Sequence, residues 1–292
     1  MTSPADTASA PAPAAGPLVL VTRPDGENRA LGDAIRAAGF DSRLTPVIQF
    51  ADCPAADDPA LADRIRRLDR ARGWLILPSP TAIGRLAQAL RRRGVDPREL
   101  AGLRLAVVGA GSNRRLREHW GREADFVPTL PTAAELAAGL PAEPRQPILI
   151  VGSRQSRPEV PRGLRRRGRL VESIALYETL PCPEGLSALR EALGESARQA
   201  RPPVLVVASP SAVEAIFGFF GAAARLPRAG WITIGPTTHA RLLRRTAELE
   251  EPPPTVQSES PAPEAIVQAI RRIQGRLGSR AALPPRAGDP RP

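Results

Sequence analysis

A chain of 292 residues with 42% apolar content can bury a substantial core and is long enough for more than one domain. Its 41 basic residues outnumber 30 acidic ones, and the formal net charge of +11 suits a polyanionic partner: nucleic acid, an acidic membrane surface or a small polycarboxylate. An aromatic content of 3% argues against a stacking platform for single-stranded nucleic acid, and a general Arg and Ala bias accounts for much of the charge.

Residues 1–16, MTSPADTASAPAPAAG, lack a basic start and a leucine-rich core, so they read as a disordered Ala/Pro-rich tail rather than a signal peptide. The apolar run LVLV (Leu18 to Val21) predicts a strand, and the helix after it stops at Gly39. SRLTPVIQF (Ser42 to Phe50) is extended and breaks the strand–helix rhythm. WLIL (Trp74 to Leu77) leads into the helix SPTAIGRLAQALRRRG, stopped by Gly94, and LRLAVV (Leu103 to Val108) leads through GAGS into NRRLREHWG. ILIV (Ile148 to Val151) opens the next unit, and LVESIALYETLP (Leu170 to Pro181) is a second extended stretch. VLVVA (Val204 to Ala208) and WITI (Trp231 to Ile234) each precede another helix, and residues 277–292 read as a second disordered tail. No apolar run approaches the length of a membrane span, so a cytoplasmic protein with no membrane partner is expected.

Short apolar runs alternating with helices predict an α/β fold, with parallel sheets covered by helices on both faces. The pattern occurs twice. LILPSPTAIGRL matches VVASPSAVEAIF, and LAVVGAGSNRRLRE matches WITIGPTTHARLLRR. Their offsets, 209 − 79 = 130 and 235 − 109 = 126, are those of a duplicated domain. Two similar doubly wound halves are therefore expected, joined by the two extended segments, with a cleft bordered by the carboxyl ends of the strands.

In a parallel sheet those ends carry the ligand, because helix N-termini direct free backbone N–H groups there. Six such turns are Thr22-Arg23-Pro24, Ser79-Pro80-Thr81, Gly109-Ala110-Gly111-Ser112, Gly152-Ser153-Arg154, Ser209-Pro210-Ser211 and Gly235-Pro236-Thr237-Thr238. At any single turn Ser or Thr can simply cap the helix; the set, with Gly and Pro allowing close backbone approach, points to an anion. Arg23 and Arg154 occupy matching turns, where each can pair with a carboxylate or phosphate or stand in solvent. Arg91-Arg92-Arg93 and Arg165-Arg166-Arg167 fall late in helices, where cations meet the dipole, and read as solvated faces.

Several chemistries are excluded. GAGSNR puts Arg114 where the dinucleotide fingerprint needs its third glycine, and there is no phosphate-binding P-loop, nucleophile elbow or Ser-His-acid set. Cys53 and Cys182 form no CxxC pair, and His119 and His239 stand apart from other ligands, so no metal site is visible. Tyr177, the single tyrosine, lies in the second extended segment, where its phenol can donate a proton to a leaving oxygen or serve as an aromatic anchor.

The ordered set VLVTRP, LPSPTAI, VVGAGS, ALYETLP, ASPSAVEAI, ITIGPTTHARL and ESPAPEAIVQAI, spread over residues 17–275, resembles the uroporphyrinogen-III synthase family of tetrapyrrole biosynthesis. The resemblance implies a lyase acting on hydroxymethylbilane, a linear tetrapyrrole with eight carboxylates. Such an enzyme closes the ring to uroporphyrinogen III with loss of water and inversion of the last pyrrole, using no metal or organic cofactor. A monomer is expected, with a transient contact to the upstream synthase that hands over the substrate. On the family pattern residues 17–41 and 180–276 form one discontinuous domain, 51–170 the other, and 42–50 with 171–179 the two-stranded connector. Carried over by position, Thr22, Ser79, Ser112, Ser209, Ser211, Thr237 and Thr238 hold carboxylates, with Arg23, Pro24, Gly109, Gly152 and Gly235 beside them. Ser112 stands where many members have Thr. Tyr177 matches the connector tyrosine that assists departure of the hydroxyl. The alternative is a non-catalytic two-domain receptor for small polyanions. Nucleic acid is not an expected partner, because no motif gathers the arginines on one element.

Overall fold

A computed structural model describes residues 16–24, 28–221, 229–247, 249 and 251–281. In chain order the first elements are β1 (Leu18–Val21), α1 (Arg29–Ala37), β2 (Asp41–Leu44), β3 (Ile48–Asp52), α2 (Pro54–Asp57), α3 (Ala60–Arg70), β4 (Trp74–Leu77), α4 (Pro80–Arg91), β5 (Arg104–Val107), α5 (Ala110–Trp120) and α6 (Ala133–Gly139). There follow β6 (Ile148–Ser153), α7 (Glu159–Arg166), β7 (Val171–Pro181), α8 (Pro183–Arg198), β8 (Pro203–Val207), α9 (Pro210–Phe220), β9 (Gly230–Ile234), α10 (Pro236–Thr246), β10 (Thr255–Ser258) and α11 (Pro263–Ala281).

The chain divides into two units, Met1–Gln49 with Pro181–Pro292, and Phe50–Leu180. The first holds a sheet of order β10-β9-β8-β1-β2, parallel at every pairing. The second holds β3-β7-β6-β4-β5, parallel from β7 to β5. The two orders correspond when β9, β8, β1 and β2 are laid on β5, β4, β6 and β7. A parallel bridge from Ala106 to Phe126 then takes the place of β10. The fold is thus α/β with two similar parallel sheets, as the duplicated pattern predicts.

Continuous apolar runs form the central strands because both faces of each sheet are covered. In β1, Leu18 and Leu20 pack with α8, α9 and α10, whereas Val19 and Val21 pack with α1 and α11. In β4, Leu75 and Leu77 face α3, α4 and α5, and Trp74 and Ile76 face α6 and α7. Each such buried Leu or Ile contributes roughly 1.5–3 kcal/mol. Gly39 and Gly94, just past α1 and α4, take positive φ values of 85° and 68°, which ends those helices at the expected places.

β3 and β7 are neighbours in one sheet, with bounds that differ from those expected of the connector strands. Residues 42–50 are not one strand: β2 belongs to the sheet of the first unit, paired with β1, and Thr45-Pro46 separates it from β3. Proline at 46 supplies no N–H, so the ladder stops there. The stretch 171–179 is likewise part of an eleven-residue strand, β7, whose first half pairs with β6 inside the second unit's sheet. The chain changes unit between Gln49 and Phe50 and between Leu180 and Pro181, within β3 and near the end of its sheet neighbour β7. The supposed tail from 277 is helical as far as Ala281, because α11 continues. Residues 1–15 and 282–292, read as tails, lie outside the described residues.

Candidate functional site

Within the first unit, β9, β8 and β1 are adjacent, so their following turns share one sheet edge. Ser209 caps α9, its hydroxyl accepting from the Ala212 amide at 3.2 Å, and Ser211 beside it is exposed. Gly235 precedes α10 with φ 85° and ψ 157°; Thr237 is exposed and Thr238 buried in the first turn. Thr22 is buried, and its hydroxyl donates to the Val206 carbonyl at 2.9 Å, tying β1 to β8. That bond engages its one proton. Arg23 and Pro24 are half-buried, and Asn28 clamps their turn by donating to both carbonyls at 2.9 Å. Asn28 was not singled out from the sequence. Its position as the residue just before α1 was the available signal. His239 is held by Thr233, 2.9 Å from its Nδ1.

The turns fall into two kinds. Ser79 and Ser209 are side-chain caps, while α5 and α10 begin at Gly109 and Gly235 with no side-chain cap bond. The first amides of α5 and α10 therefore keep donors that suit an anion.

In the second unit β7, β6, β4 and β5 are adjacent. The carboxyl ends of β6, β4 and β5 bring Gly152, Ser79 and Gly109 to one edge, level with Tyr177 within β7, whose register partner is Ser153. Ser112, third residue of α5, is buried. After β6 the backbone is tightly folded: a Cβ on Gly152 would meet Ser156 Oγ at 2.7 Å, and that oxygen accepts from Ser153 N. Gln155 bridges to Thr179, donating to its carbonyl and accepting from its amide. Arg154 is exposed; its Nε lies 3.4 Å from Glu178 and its Nη2 3.6 Å from Cys53 Sγ.

Tyr177 is buried, only 4% exposed. Its hydroxyl is 3.0 Å from Ser79 Oγ, which also accepts from Ala82 N at 3.1 Å. Phe50 meets its ring edge-on, with centroids 5.5 Å apart. Arg85 of α4 stands 5.7 Å from the Tyr177 ring centroid and 5.5 Å from that of Phe50. Burial pushes the phenol above its ordinary range, while Ser79, Thr81 and the Arg85 charge pull it back. Sequence reasoning did not select Arg85. Its signal is the i,i+4 spacing from Thr81, which places both on one face of α4.

The arginine runs are not merely solvated. Arg91 donates to the His119 carbonyl, Arg92 pairs with Asp52, and Arg93 bonds the carbonyls of Asp58 and Ala89. Arg165 and Arg167 donate to carbonyls of Val171 and Ala137. Late-helix guanidiniums reach unsatisfied carbonyls as readily as water.

A cavity of about 250 Å³ opens at the amino ends of β1 and β2, lined by Leu18, Arg36, Asp41, Ser42, Arg43 and Arg201. It lies away from the strand-end turns, and its arginines pair with Asp33, Glu195 and Asp41. Among the described residues no group of three His, Cys, Asp or Glu is placed to hold a metal ion, and no helix is long and apolar enough to cross a membrane.

Comparison with known proteins bears on this arrangement. The family model of Uroporphyrinogen-III synthase HemD matches residues 29–268. A porphyrin biosynthesis protein HemD of Ruminiclostridium josui is 26% identical over 170 residues, 57% of this chain; the match spans only 33% of that relative's length. A mutant uroporphyrinogen III synthase from Thermus thermophilus superposes with a TM-score of 0.61 at 22% identity, over 89% of this chain and 100% of that one. Uroporphyrinogen-III synthetase from Helicobacter pylori gives 0.53 at 15% identity, over 88% and 99%. At these identities the structures establish the fold, and the family match, which runs through most of the chain, establishes that this chain belongs to the uroporphyrinogen-III synthase family.

Proposed function

We propose that the chain is a uroporphyrinogen-III synthase, a cyclising hydro-lyase that takes hydroxymethylbilane to uroporphyrinogen III. The observation carrying this reading is the buried Tyr177 phenol held by Ser79 at a strand end, in a chain of this family. In the proposed reaction the phenol gives its proton to the departing hydroxyl, and the C–O bond pair leaves with it as water. The substituted carbon of the terminal pyrrole attacks the resulting azafulvene cation to give a spiro intermediate. That carbon's bond to its original methylene bridge then breaks, and the methylene, now itself an azafulvene cation, bonds to the ring's unsubstituted carbon, which inverts that ring. The phenolate recovers its proton from the pyrrole carbon that is deprotonated at ring closure, so the site ends as it began.

The carboxylates of the substrate are assigned to the uncapped amides of α5 and α10 and to the hydroxyls of Ser112, Ser209, Ser211, Thr237 and Thr238. Amides suit this task because each donates a hydrogen bond without a full charge to desolvate. Thr22, with its proton engaged by Val206, is assigned to shaping the turn that presents Arg23 and Pro24. Holding a flexible chain in a productive curl can lower a barrier by about 7–11 kcal/mol, so strong acids and bases are not required. A cytoplasmic monomer that receives its substrate from the upstream synthase completes the proposal.

The test is an isomer assay coupled to a hydroxymethylbilane source. Formation of the type III isomer ahead of the spontaneous type I isomer is expected. Type I alone, with ligand binding intact, would reduce the protein to a polyanion receptor.

A further inference from the structure

Arg85 is not part of the carboxylate-binding set, yet it is the most constrained guanidinium near the phenol. It pairs with Asp52 and donates to the Phe50 carbonyl at 3.0 Å. Asp52 is itself held from a second side by Arg92 at 3.2 Å, just past the end of α4. The guanidinium carbon then lies against two rings, Phe50 at 5.5 Å and Tyr177 at 5.7 Å, which stand perpendicular to each other. Its side chain is 24% exposed, so water screens this charge only in part. Ser79, from which α4 starts, holds the other end of the same phenol. One helix thus supplies both the hydroxyl partner of Tyr177 and a cation against its ring.

We propose that Arg85 is a positioning residue for Tyr177. Tethered by Asp52 and the Phe50 carbonyl, it fixes the phenol ring against Ser79 and stabilises negative charge building on the phenolic oxygen. The cation favours a ring that grows more electron-rich as its proton leaves. Its role in turnover rests on the proposed function, in which Tyr177 protonates the departing hydroxyl; its coupling to the phenol does not.

The chain contains one tyrosine, so ultraviolet difference titration reads Tyr177 alone. Arg85→Met keeps an apolar stem and removes the charge. It is expected to raise the phenol's titration midpoint by roughly half to one unit and to lower kcat about tenfold with little change in KM. Arg85→Lys retains the charge and is expected to recover most of both effects. An unchanged midpoint and kcat in Arg85→Met overturn the proposal, and so does a lysine variant no better than the methionine one. If Arg85→Met does not fold, Arg85→Gln serves instead: it keeps a polar side chain able to bond Asp52 and the Phe50 carbonyl but carries no charge, so the midpoint is expected to rise, and an unmoved midpoint overturns the coupling. Failure of the wild-type protein to form type III isomer would count against the proposed function, while the titration would still report the Arg85–Tyr177 coupling.

Discussion

The Tyr177 hydroxyl stands 3.0 Å from Ser79 Oγ, and the same serine oxygen accepts the Ala82 amide at the start of α4. A hydroxyl has one proton and two lone pairs, so Ser79 can cap the helix and bind the phenol together. This couples the chain's single phenol, on β7, to the N-terminus of a helix that follows β4. The two strands are separated in the sheet by β6, and their carboxyl ends share one edge. A proton donor and the capped start of α4 are thereby placed next to one another.

Replacing Tyr177 by Phe keeps the ring among Phe50 and Arg85 and deletes the hydroxyl. Formation of the type III isomer is expected to fall by about 100-fold, the lower end of what a positioned acid contributes. Stability should fall by only about 0.5–1.5 kcal/mol, the net worth of one hydrogen bond. Steady-state isomer assays and denaturant melts check the two parts. A wild-type rate in Tyr177→Phe would leave the phenol as an aromatic anchor.

The pH dependence follows from the direction of the shift. Burial raises the Tyr177 phenol above its ordinary value near 10, so the folded state keeps a proton that the unfolded state has released. The associated stability is fully present below the unfolded value and is lost as pH rises through the folded one. The melting temperature of the wild type should therefore drop more steeply than that of Tyr177→Phe as pH climbs above about 10. Parallel curves for the two proteins would mean that the phenol is not shifted.

Ser79→Ala and Ser209→Ala remove matching caps from α4 and α9. Each is expected to cost about 1 kcal/mol of stability. Only Ser79→Ala also removes a hydrogen-bond partner of the phenol, so only it should raise the Tyr177 titration midpoint. Equal behaviour of the two variants in titration would separate Ser79 from the phenol.

What the sequence disclosed follows from how each element is stabilised. β1, β4 and β8 are covered on both faces, so their apolar runs are continuous and announce themselves. β10, TVQS, does not, because an edge strand after consecutive prolines needs apolar residues on one face only, and its pairing with β9 supplies the rest. β2 reads DSRL because it is exposed along most of its length, and it joins its sheet through register with β1. The turn residues were legible by type and position, but their bonding was not. Whether Thr22 faces a ligand or the Val206 carbonyl depends on the neighbouring strand β8, far away in sequence. Arg85 was hidden likewise: its meaning comes from Phe50, Asp52 and Tyr177, which only the β3–β7–β6–β4 order brings to α4.

The two uncapped glycines make opposite demands, although they occupy matching places in the repeat. Gly235 sits at φ 85° and ψ 157°, a region that residues with a Cβ rarely enter, and a Cβ there would meet nothing within 4 Å. Gly235→Ala should therefore cost about 1–3 kcal/mol from backbone strain alone. Relief of that strain would re-aim the first amides of α10, so KM should rise as well. Gly109 has φ −168° and ψ −179°, extended backbone open to any residue, and an added Cβ would lie 3.2 Å from Pro131 Cβ. Gly109→Ala asks only for a small shift of that ring, and its loss should stay below about 1 kcal/mol. Denaturant melts of the two variants decide the matter. Similar losses would mean that α10 does not need its glycine for conformation, and the amides it presents would then owe their direction to Pro236 instead.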